Sequence, residues 1–249
     1  MIHSFLLIGQ SNMAGRGFVE EAIPVDKTNL LILRNGRWQK LFRPVNPDRR
    51  TSGVTLAESF AEAYARDHGV QVGLLPCADG GTRIDQWAPG SLLFDHAVYQ
   101  ARLAQRTSHL VGILWHQGES DSQNDRYLTY QSKLETMLCA LRKAIGCEDI
   151  PVILGGLGEY LDHYTKNPHL QWPQINKALE ATAAANPLYG FASAEGLAPN
   201  PDNLHFSAAA LHAFGLRYYA EFETLHDHSR TNEEKPNPDE ALRTDLNDL

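Results

Sequence analysis

The chain has 249 residues, of which 43% are hydrophobic and 21% charged, as expected for a globular protein with a sizeable core. Its formal net charge of −8 and its lack of a basic stripe argue against nucleic acid and anionic membranes as partners. No apolar stretch approaches the length of a membrane helix, and the N-terminal apolar run lacks the basic flank and cleavage motif of a signal peptide. The three cysteines have no CxxC spacing, which is typical of free thiols in a reducing compartment, so we expect a cytoplasmic protein.

Short apolar runs alternate with longer segments of helical periodicity. The predicted strands are Ile2–Ile8, Leu30–Leu33, 70–76, 110–115 and 151–156. The predicted helices are Thr55–His68, 91–106, Asp125–Ala144, Pro173–Ala185 and 207–222. Near-continuous apolar strands that alternate with helices indicate a parallel sheet covered on both faces. The sequence therefore predicts an α/β protein with one three-layer α/β/α domain over residues 1–225 and about five parallel strands.

Residues 226–249 differ from this pattern because they are polar and charged, with seven acidic and three basic side chains. This is the composition of a segment that cannot bury enough apolar surface to fold alone. We expect a polar C-terminal tail after the domain.

The first predicted strand runs directly into LLIGQSNMAG, residues 6–15. Ser11 is compatible with an ordinary turn, since Gly, Ser and Asn are common turn residues. It is also compatible with a nucleophile, because open α/β sheets place ligands at the carboxyl ends of their strands. The stretch lacks the lysine and spacing of a phosphate loop and fails the dinucleotide-binding glycine pattern. It also fails the G-x-S-x-G elbow, because Met13 replaces the second glycine.

A nucleophilic serine needs a base and a group that orients the base. The clearest base is His205 in NPDNLHFS, residues 200–207, and Asp202 lies three residues before it. A tight turn would allow that carboxylate to reach the imidazole. The alternative interpretation is a plain turn followed by Ser207 as a helix cap.

An oxyanion needs donors that are fixed where the charge develops. CADGGTRIDQW follows one predicted strand and offers the backbone N–H groups of Gly80 and Gly81, although a Gly–Gly pair is also an ordinary turn. WHQGESD follows the next strand and offers the side-chain amide of Gln117. Glu119 beside it is a second candidate for orienting His205, or it holds the loop. These polar clusters would converge on one cleft at the carboxyl edge of the sheet.

The blocks GQSNMAG, CADGGT, WHQGESD and DNLHFS resemble, in the same order, those of the SGNH-type hydrolases. The similarity is to the branch that contains the sialate O-acetylesterases and the acetylxylan esterases of carbohydrate esterase family six. It extends from Gly9 to about Phe206. The resemblance implies a flavodoxin-like sheet and a serine esterase without a cofactor.

The resemblance also implies roles for individual residues. Ser11 would be the nucleophile, with its own backbone N–H in the oxyanion hole. A glycine of the Gly80–Gly81 pair and Gln117 would be further donors, and His205 would be the base. The acid stays open, because Asp202 fits the D-x-x-H spacing and Glu119 fits the HQGE block.

Several other residues are candidates for substrate binding. We expect contacts from Gln10, Asn12, Arg83 and Trp87. The face of Trp87 suits a sugar ring, and Arg83 or Arg16 suits a carboxylate-bearing sugar such as a sialic acid. Core packing for the tryptophan and plain surface charge for the arginines are the alternatives. The histidines lack metal-ligand spacing, so no metal is expected.

The sequence therefore predicts a serine esterase that removes O-acetyl groups from a carbohydrate through an acyl-enzyme intermediate. The substrate would be of the sialic acid type or the xylose and xylo-oligosaccharide type. One alternative is an SGNH hydrolase of a non-carbohydrate ester or thioester, and another is a non-catalytic carbohydrate-binding protein. The expected partner is an acetylated carbohydrate, and the sequence leaves open whether the chain forms a homo-oligomer.

Overall fold

A computed structural model describes residues 1–167 and 169–233, and for residues 226–233 it gives only the course of the helix. Within these residues seven strands form one sheet: β1 Ile2–Gly9, β2 Leu30–Arg34, β3 Arg37–Lys40, β4 Gln71–Pro76, β5 His109–His116, β6 Val152–Gly155 and β7 Tyr189–Ala192. The strands lie in the order β3-β2-β4-β1-β5-β6-β7. All neighbours pair in parallel except β2 and β3, which pair antiparallel.

Helices cover both faces of this sheet. Their bounds are α1 Ser11–Ala14, α2 Ala57–His68, α3 Leu92–Ala104, α4 Tyr130–Ile145, α5 Trp172–Ala184 and α6 Ala208–Glu233. One layer contains α2 and α6, which pack against each other, and the other contains α3, α4 and α5. The three-layer α/β/α prediction is thus confirmed.

A cluster of aromatic rings packs where the central strand β1 meets the layer of α2 and α6. The ring of Phe5 on β1 lies edge-on to Phe60 at 4.7 Å, to Tyr64 at 4.9 Å and to Phe222 at 5.3 Å between ring centroids. Such edge-to-face pairs add stabilisation beyond the area that they bury. They fix α2 and α6 relative to the strand that leads into Ser11.

The helices α6 and α2 approach each other closely at Gly215. A Cβ atom there would lie 2.1 Å from the carbonyl oxygen of Leu56 and 2.1 Å from Oγ of Ser59. The two helices can therefore approach at this distance only because residue 215 has no side chain. Glycine in a helix interior costs stability, so its use here marks a packing requirement.

The number of strands differs from the prediction of about five, because two strands of four residues each were not predicted. The strand β3 lies at the edge of the sheet and pairs with β2 alone. Its sequence RWQK is largely polar and contains no apolar run that would indicate a strand. The opposite edge strand β7 is YGFA, too short and interrupted by Gly190. The series β4-β1-β5-β6-β7 has the flavodoxin-like order 2-1-3-4-5, which places a topological switch point between β1 and β5.

The end of the chain is described in part. The last helix continues to Glu233, so the predicted boundary after residue 225 falls within α6. Most of the predicted tail, residues 234–249, lies outside the described residues, and its separate character stays a prediction. No described helix has the length and apolar character needed to cross a membrane.

Candidate active site

Ser11 is placed by a sharp exit of the chain from β1. Gly9 has φ +125°, and a Cβ atom there would lie 2.1 Å from the carbonyl oxygen of His116 on β5. Only glycine allows the strand to turn this closely over its neighbour. Ser11 then becomes the first residue of the short helix α1, and within the described chain its backbone N–H has no hydrogen-bond acceptor. The serine lies at the switch point between β1 and β5, where the sheet topology predicts a ligand site.

Ser11, His205 and Asp202 form a continuous hydrogen-bonded chain. Nε2 of His205 lies 3.0 Å from Oγ of Ser11, and Nδ1 lies 2.6 Å from Oδ2 of Asp202. These are the distances expected between a nucleophile, its base and the group that orients the base. The structure therefore brings together the serine, histidine and aspartate that the sequence indicated.

The loop that carries His205 is a tight turn stabilised by Asp202. Oδ1 of Asp202 accepts the backbone N–H groups of Leu204 and His205, both at 3.0 Å, and Asn203 has φ +51°. The helix-cap interpretation of Ser207 also holds, because its Oγ accepts a backbone N–H from the first turn of α6 at 3.2 Å. The turn and the base are thus compatible interpretations of one segment.

Asp202 is poised to stay charged. Burial acts to raise the pKa of its carboxyl group, but the two backbone N–H donors and the His205 imidazole outweigh it and lower the pKa below its ordinary value. A carboxylate that is ionised near neutral pH holds the imidazole in the tautomer that presents an unprotonated Nε2 to Ser11.

Glu119 does not contact His205. Its Oε1 accepts a hydrogen bond from Nδ2 of Asn12 at 2.5 Å and lies 3.3 Å from Nε2 of the buried His116. Burial acts to raise the pKa of Glu119, but the contacts with His116 and Asn12 outweigh it and lower the pKa. The alternative in which Glu119 orients the imidazole is therefore not supported by the geometry, since Asp202 occupies that position.

Asn12 connects the serine and histidine loops. Besides its contact with Glu119, its Oδ1 accepts the backbone N–H of Phe206 at 3.1 Å, next to His205. The side chain is 1% exposed and makes these internal contacts. The expectation that Asn12 binds substrate is corrected accordingly, because its polar atoms hold the site together.

The Gly80–Gly81 turn lies beside Ser11 and is held by a buried ion pair. The N–H of Gly80 donates to Oδ2 of Asp48 at 2.8 Å, and Asp48 binds both terminal nitrogens of Arg16, at 2.7 and 3.0 Å. Gly80 is therefore not a free oxyanion donor, which corrects that part of the prediction. The N–H of Gly81 has no acceptor within the described chain. No motif marked Asp48, which lies in a loop far from the four blocks in sequence.

Gln117 is fully buried, and its side-chain amide is engaged within the protein. Its Nε2 donates to the carbonyl oxygen of Thr82 at 3.0 Å and to Oδ2 of Asp121 at 2.6 Å. Both amide hydrogens are thus used within the protein, and the expected role as an oxyanion donor is corrected. Asp121 also accepts the backbone N–H of Ile84 at 2.8 Å, so the two side chains connect the loops after β4 and β5.

A cavity of about 360 Å³ opens over this arrangement. Its lining residues come from all four predicted clusters and from later loops: Gln10, Ser11, Arg16, Arg49, Gly80, Gly81, Glu119, Ser120, Gln123, Tyr164, Leu170, Leu204 and His205. The volume falls within the range of small-ligand sites, about 300–1,000 Å³. Arg49, Tyr164 and Leu170 lie outside the motifs, and only the folded chain brings them to the site.

Two of the predicted substrate contacts lie elsewhere. Trp87 is 1% exposed, packs edge-on against Trp115 at 5.6 Å and donates its indole N–H to Thr82, so the core-packing alternative holds. Arg83 is exposed and does not line the cavity, which agrees with the alternative that it is a plain surface charge. Gln10 lines the cavity, and its contact with substrate stays a prediction. Within the described residues no group of His, Cys, Asp and Glu side chains has an arrangement that holds a metal ion.

Comparison with known proteins agrees with this picture. The family profile described as "Carbohydrate esterase, sialic acid-specific acetylesterase" matches residues 1–224. A probable carbohydrate esterase of Arabidopsis thaliana is 28% identical over 239 residues, which cover 85% of this chain and 86% of the relative.

Solved structures share the fold. The crystal structure of the Arabidopsis thaliana protein superposes with a TM-score of 0.80 at 24% identity, covering 89% of this chain and 98% of that chain. NanS superposes with a TM-score of 0.70 at 17% identity, covering 92% and 98%. A carbohydrate acetylesterase from Xanthomonas citri superposes with a TM-score of 0.64 at 17% identity, covering 89% and 57%.

Proposed function

Because the chain belongs to the carbohydrate esterase family of sialic acid-specific acetylesterases, we propose that it removes O-acetyl groups from a sugar through an acyl-enzyme formed on Ser11. Its membership makes it a carboxylic ester hydrolase of the acetylesterase type. The observation that supports the mechanism is the chain of hydrogen bonds from Ser11 through His205 to Asp202 at the edge of the cavity.

In the first step Oγ of Ser11 attacks the carbonyl carbon of the acetyl ester, and Nε2 of His205 accepts the hydroxyl proton. The tetrahedral intermediate collapses, the bond to the sugar oxygen breaks, and His205 returns the proton to that oxygen. Water then attacks the acetyl-enzyme with the same histidine as base, which releases acetate and restores Ser11. Asp202 orients the imidazole throughout.

The developing oxyanion needs N–H donors that are not already in use. The backbone N–H groups of Ser11 and Gly81 meet this condition and lie at the cavity. Gln10 supplies a third polar group: its Oε1 accepts the N–H of Ser120 at 3.4 Å, and its amide nitrogen remains available to a ligand. We propose that these groups, rather than Gln117, hold the charge.

The cavity is much larger than an acetyl group, so the acetylated ring itself occupies it. Arg16 and Arg49 give this cavity cationic groups that suit a carboxylate-bearing sugar. Each guanidinium already has a carboxylate partner, Asp48 at 2.7 Å and Asp79 at 2.7 Å respectively. Since both guanidinium groups are already paired, their preference for a carboxylate-bearing sugar has to be tested by comparing an acetylated sialic acid with a neutral acetylated xyloside.

The proposal is tested by measuring acetate release from acetylated sialic acids, xylosides and glucosamines, beside a series of simple acyl-chain esters. We expect hydrolysis of one acetylated sugar class, a mass increase of one acetyl group on Ser11 after rapid quenching, and a loss of several orders of magnitude in Ser11→Ala. Circular dichroism checks the fold of the variant. Retention of more than about a tenth of the rate would exclude Ser11 as the nucleophile. Turnover of acyl-chain esters alone would overturn the carbohydrate substrate.

A further inference from the structure

A second cavity of about 400 Å³ lies on the other side of the catalytic histidine. Arg16 and His205 line both cavities, whereas Ser11 lines only the first. The remaining wall of the second cavity includes Phe18, Glu20 and Asn200. None of these three has a part in the hydrolysis described above.

Asn200 forms a buried part of the wall of this cavity. The residue is 5% exposed, its Nδ2 donates to the carbonyl oxygen of Arg16 at 2.9 Å, and its backbone N–H donates to the carbonyl oxygen of His205 at 2.6 Å. Its Oδ1 has no partner among the described residues. A buried acceptor without a donor is costly. Because this oxygen is itself buried, Asn200 shapes the wall, and polar contacts to a ligand would come from the exposed Glu20 and Thr51, which also line the cavity.

The same cavity presents an apolar surface beside these polar groups. Phe18 is 41% exposed and Val19 is 50% exposed, an unusual state for two adjacent large apolar residues. An aromatic face next to hydrogen-bonding groups is the chemistry that binds the apolar face and the hydroxyls of a pyranose ring.

The charges of the cavity select a neutral ligand. Among the described residues, the carboxylates that line this cavity are those of Glu20 and Asp202, and the one guanidinium is that of Arg16. Both terminal nitrogens of Arg16 already bind Asp48. An anionic group would therefore meet net negative charge, whereas sugar hydroxyls can donate to carboxylates without a charge penalty.

We propose that this second cavity binds a neutral glycosyl residue linked to the acetylated sugar, so that the enzyme prefers an acetylated oligosaccharide to the acetylated monosaccharide. The inference rests on the proposed function, because His205 returns its proton to the leaving sugar oxygen, and the leaving group must then extend past the imidazole. Phe18 is the specificity residue of this subsite.

The test compares kcat/KM for two matched pairs: mono-O-acetylated xylobiose against mono-O-acetylated methyl xyloside, and O-acetylated sialyl-lactose against free O-acetylated sialic acid. In the class that is hydrolysed, we expect the longer substrate to be preferred, and Phe18→Ala to reduce the ratio of the two values about three- to tenfold. The matched control is Phe42→Ala, a partly exposed phenylalanine that lies under Arg34 and lines neither cavity. This variant should leave the ratio unchanged.

A binding measurement separates failure of this inference from failure of the proposed function. Ser11→Ala is titrated with unacetylated xylobiose and unacetylated lactose by isothermal calorimetry, and we expect binding that Phe18→Ala weakens and Phe42→Ala does not. Acetate release with equal kcat/KM within each pair, or an unchanged ratio in Phe18→Ala, would overturn the subsite while leaving the esterase assignment intact. If neither pair releases acetate, the proposed function fails. In that case the calorimetric titration alone decides the subsite, and absence of disaccharide binding overturns it as well.

Discussion

At the level of single residues, two carboxylates near the serine have different partners and therefore different tasks. Asp202 contacts the imidazole and is half-exposed, whereas Glu119 is buried against Asn12 and His116. Asp202 acts on the tautomer of the base. Glu119, through Asn12, acts on the position of the loop that carries the base.

This difference predicts a ranking of two isosteric variants. Asp202→Asn should lower kcat by about 10²-fold or more, because an amide in this position favours the wrong tautomer of His205. Glu119→Gln should lower kcat less and the free energy of unfolding more, since it alters a buried contact that does not reach the imidazole. Steady-state kinetics and urea unfolding of both variants decide the ranking. A larger loss of kcat in Glu119→Gln would reverse the two roles.

At the level of elements, the position of His205 depends on how α6 packs. The helix begins three residues after the histidine and is held against α2 at Gly215. A displacement of α6 would move the start of this helix and with it the loop over Ser11. The geometry of the site is therefore coupled to a helix contact in the layer behind the sheet.

Gly215→Ala tests this coupling. Replacing a glycine within a helix by alanine ordinarily stabilises by about 0.5–1 kcal/mol. Here the added Cβ would lie 2.1 Å from the carbonyl oxygen of Leu56. We expect a net destabilisation of about 1–3 kcal/mol with reduced kcat, measured by thermal unfolding and acetate release.

The matched control is Ala220→Gly, an exposed position in the same helix. It reports the intrinsic cost of glycine in α6, about 1 kcal/mol, without a steric contact. A stabilised Gly215→Ala protein would show that the close approach of the two helices is not required.

At the level of the whole molecule, the buried pair of Arg16 and Asp48 makes stability depend on pH. Burial acts to raise the pKa of Asp48, but hydrogen bonds from Arg16 and Ser52 outweigh it and lower the pKa below its ordinary value. The folded protein therefore holds this carboxylate ionised more strongly than the unfolded chain does. The resulting stabilisation is complete above the unfolded pKa and is lost as the pH falls through the folded one.

Asp48→Asn should lower the free energy of unfolding by about 3 kcal/mol or more at pH 7, because it leaves a buried guanidinium without its carboxylate. The difference between the two proteins should shrink as the pH falls from 5 to below the folded pKa, where the native Asp48 becomes protonated. Urea unfolding at a series of pH values measures this. A difference that stays constant over the series would contradict the assignment to this carboxylate.

The sequence predicted those parts of the molecule that local pattern determines. The apolar central strands and the serine directly after β1 could be predicted without knowledge of distant residues. Asp202 and His205 are three residues apart and contact each other within one turn, so their pairing could also be predicted from local sequence. The roles of Gly80 and Gln117 could not be predicted, because their donors are taken by Asp48 and by Thr82 and Asp121 across loops. Whether a polar group is free is decided by tertiary contacts that leave no periodic signal.

The central position of β1 has a consequence for synthesis of the protein. This strand emerges from the ribosome before the other strands of the sheet, and its neighbours β4 and β5 follow much later. At about 5–20 residues per second, the roughly 100 residues from β1 to the end of β5 take about 5–20 s to translate. β4 emerges within this interval, and until then the largely buried β1 segment remains unpaired and accessible to chaperones. The nucleophile meets its base only after residue 205 has emerged, so under the proposed mechanism a nascent chain stays inert until that point.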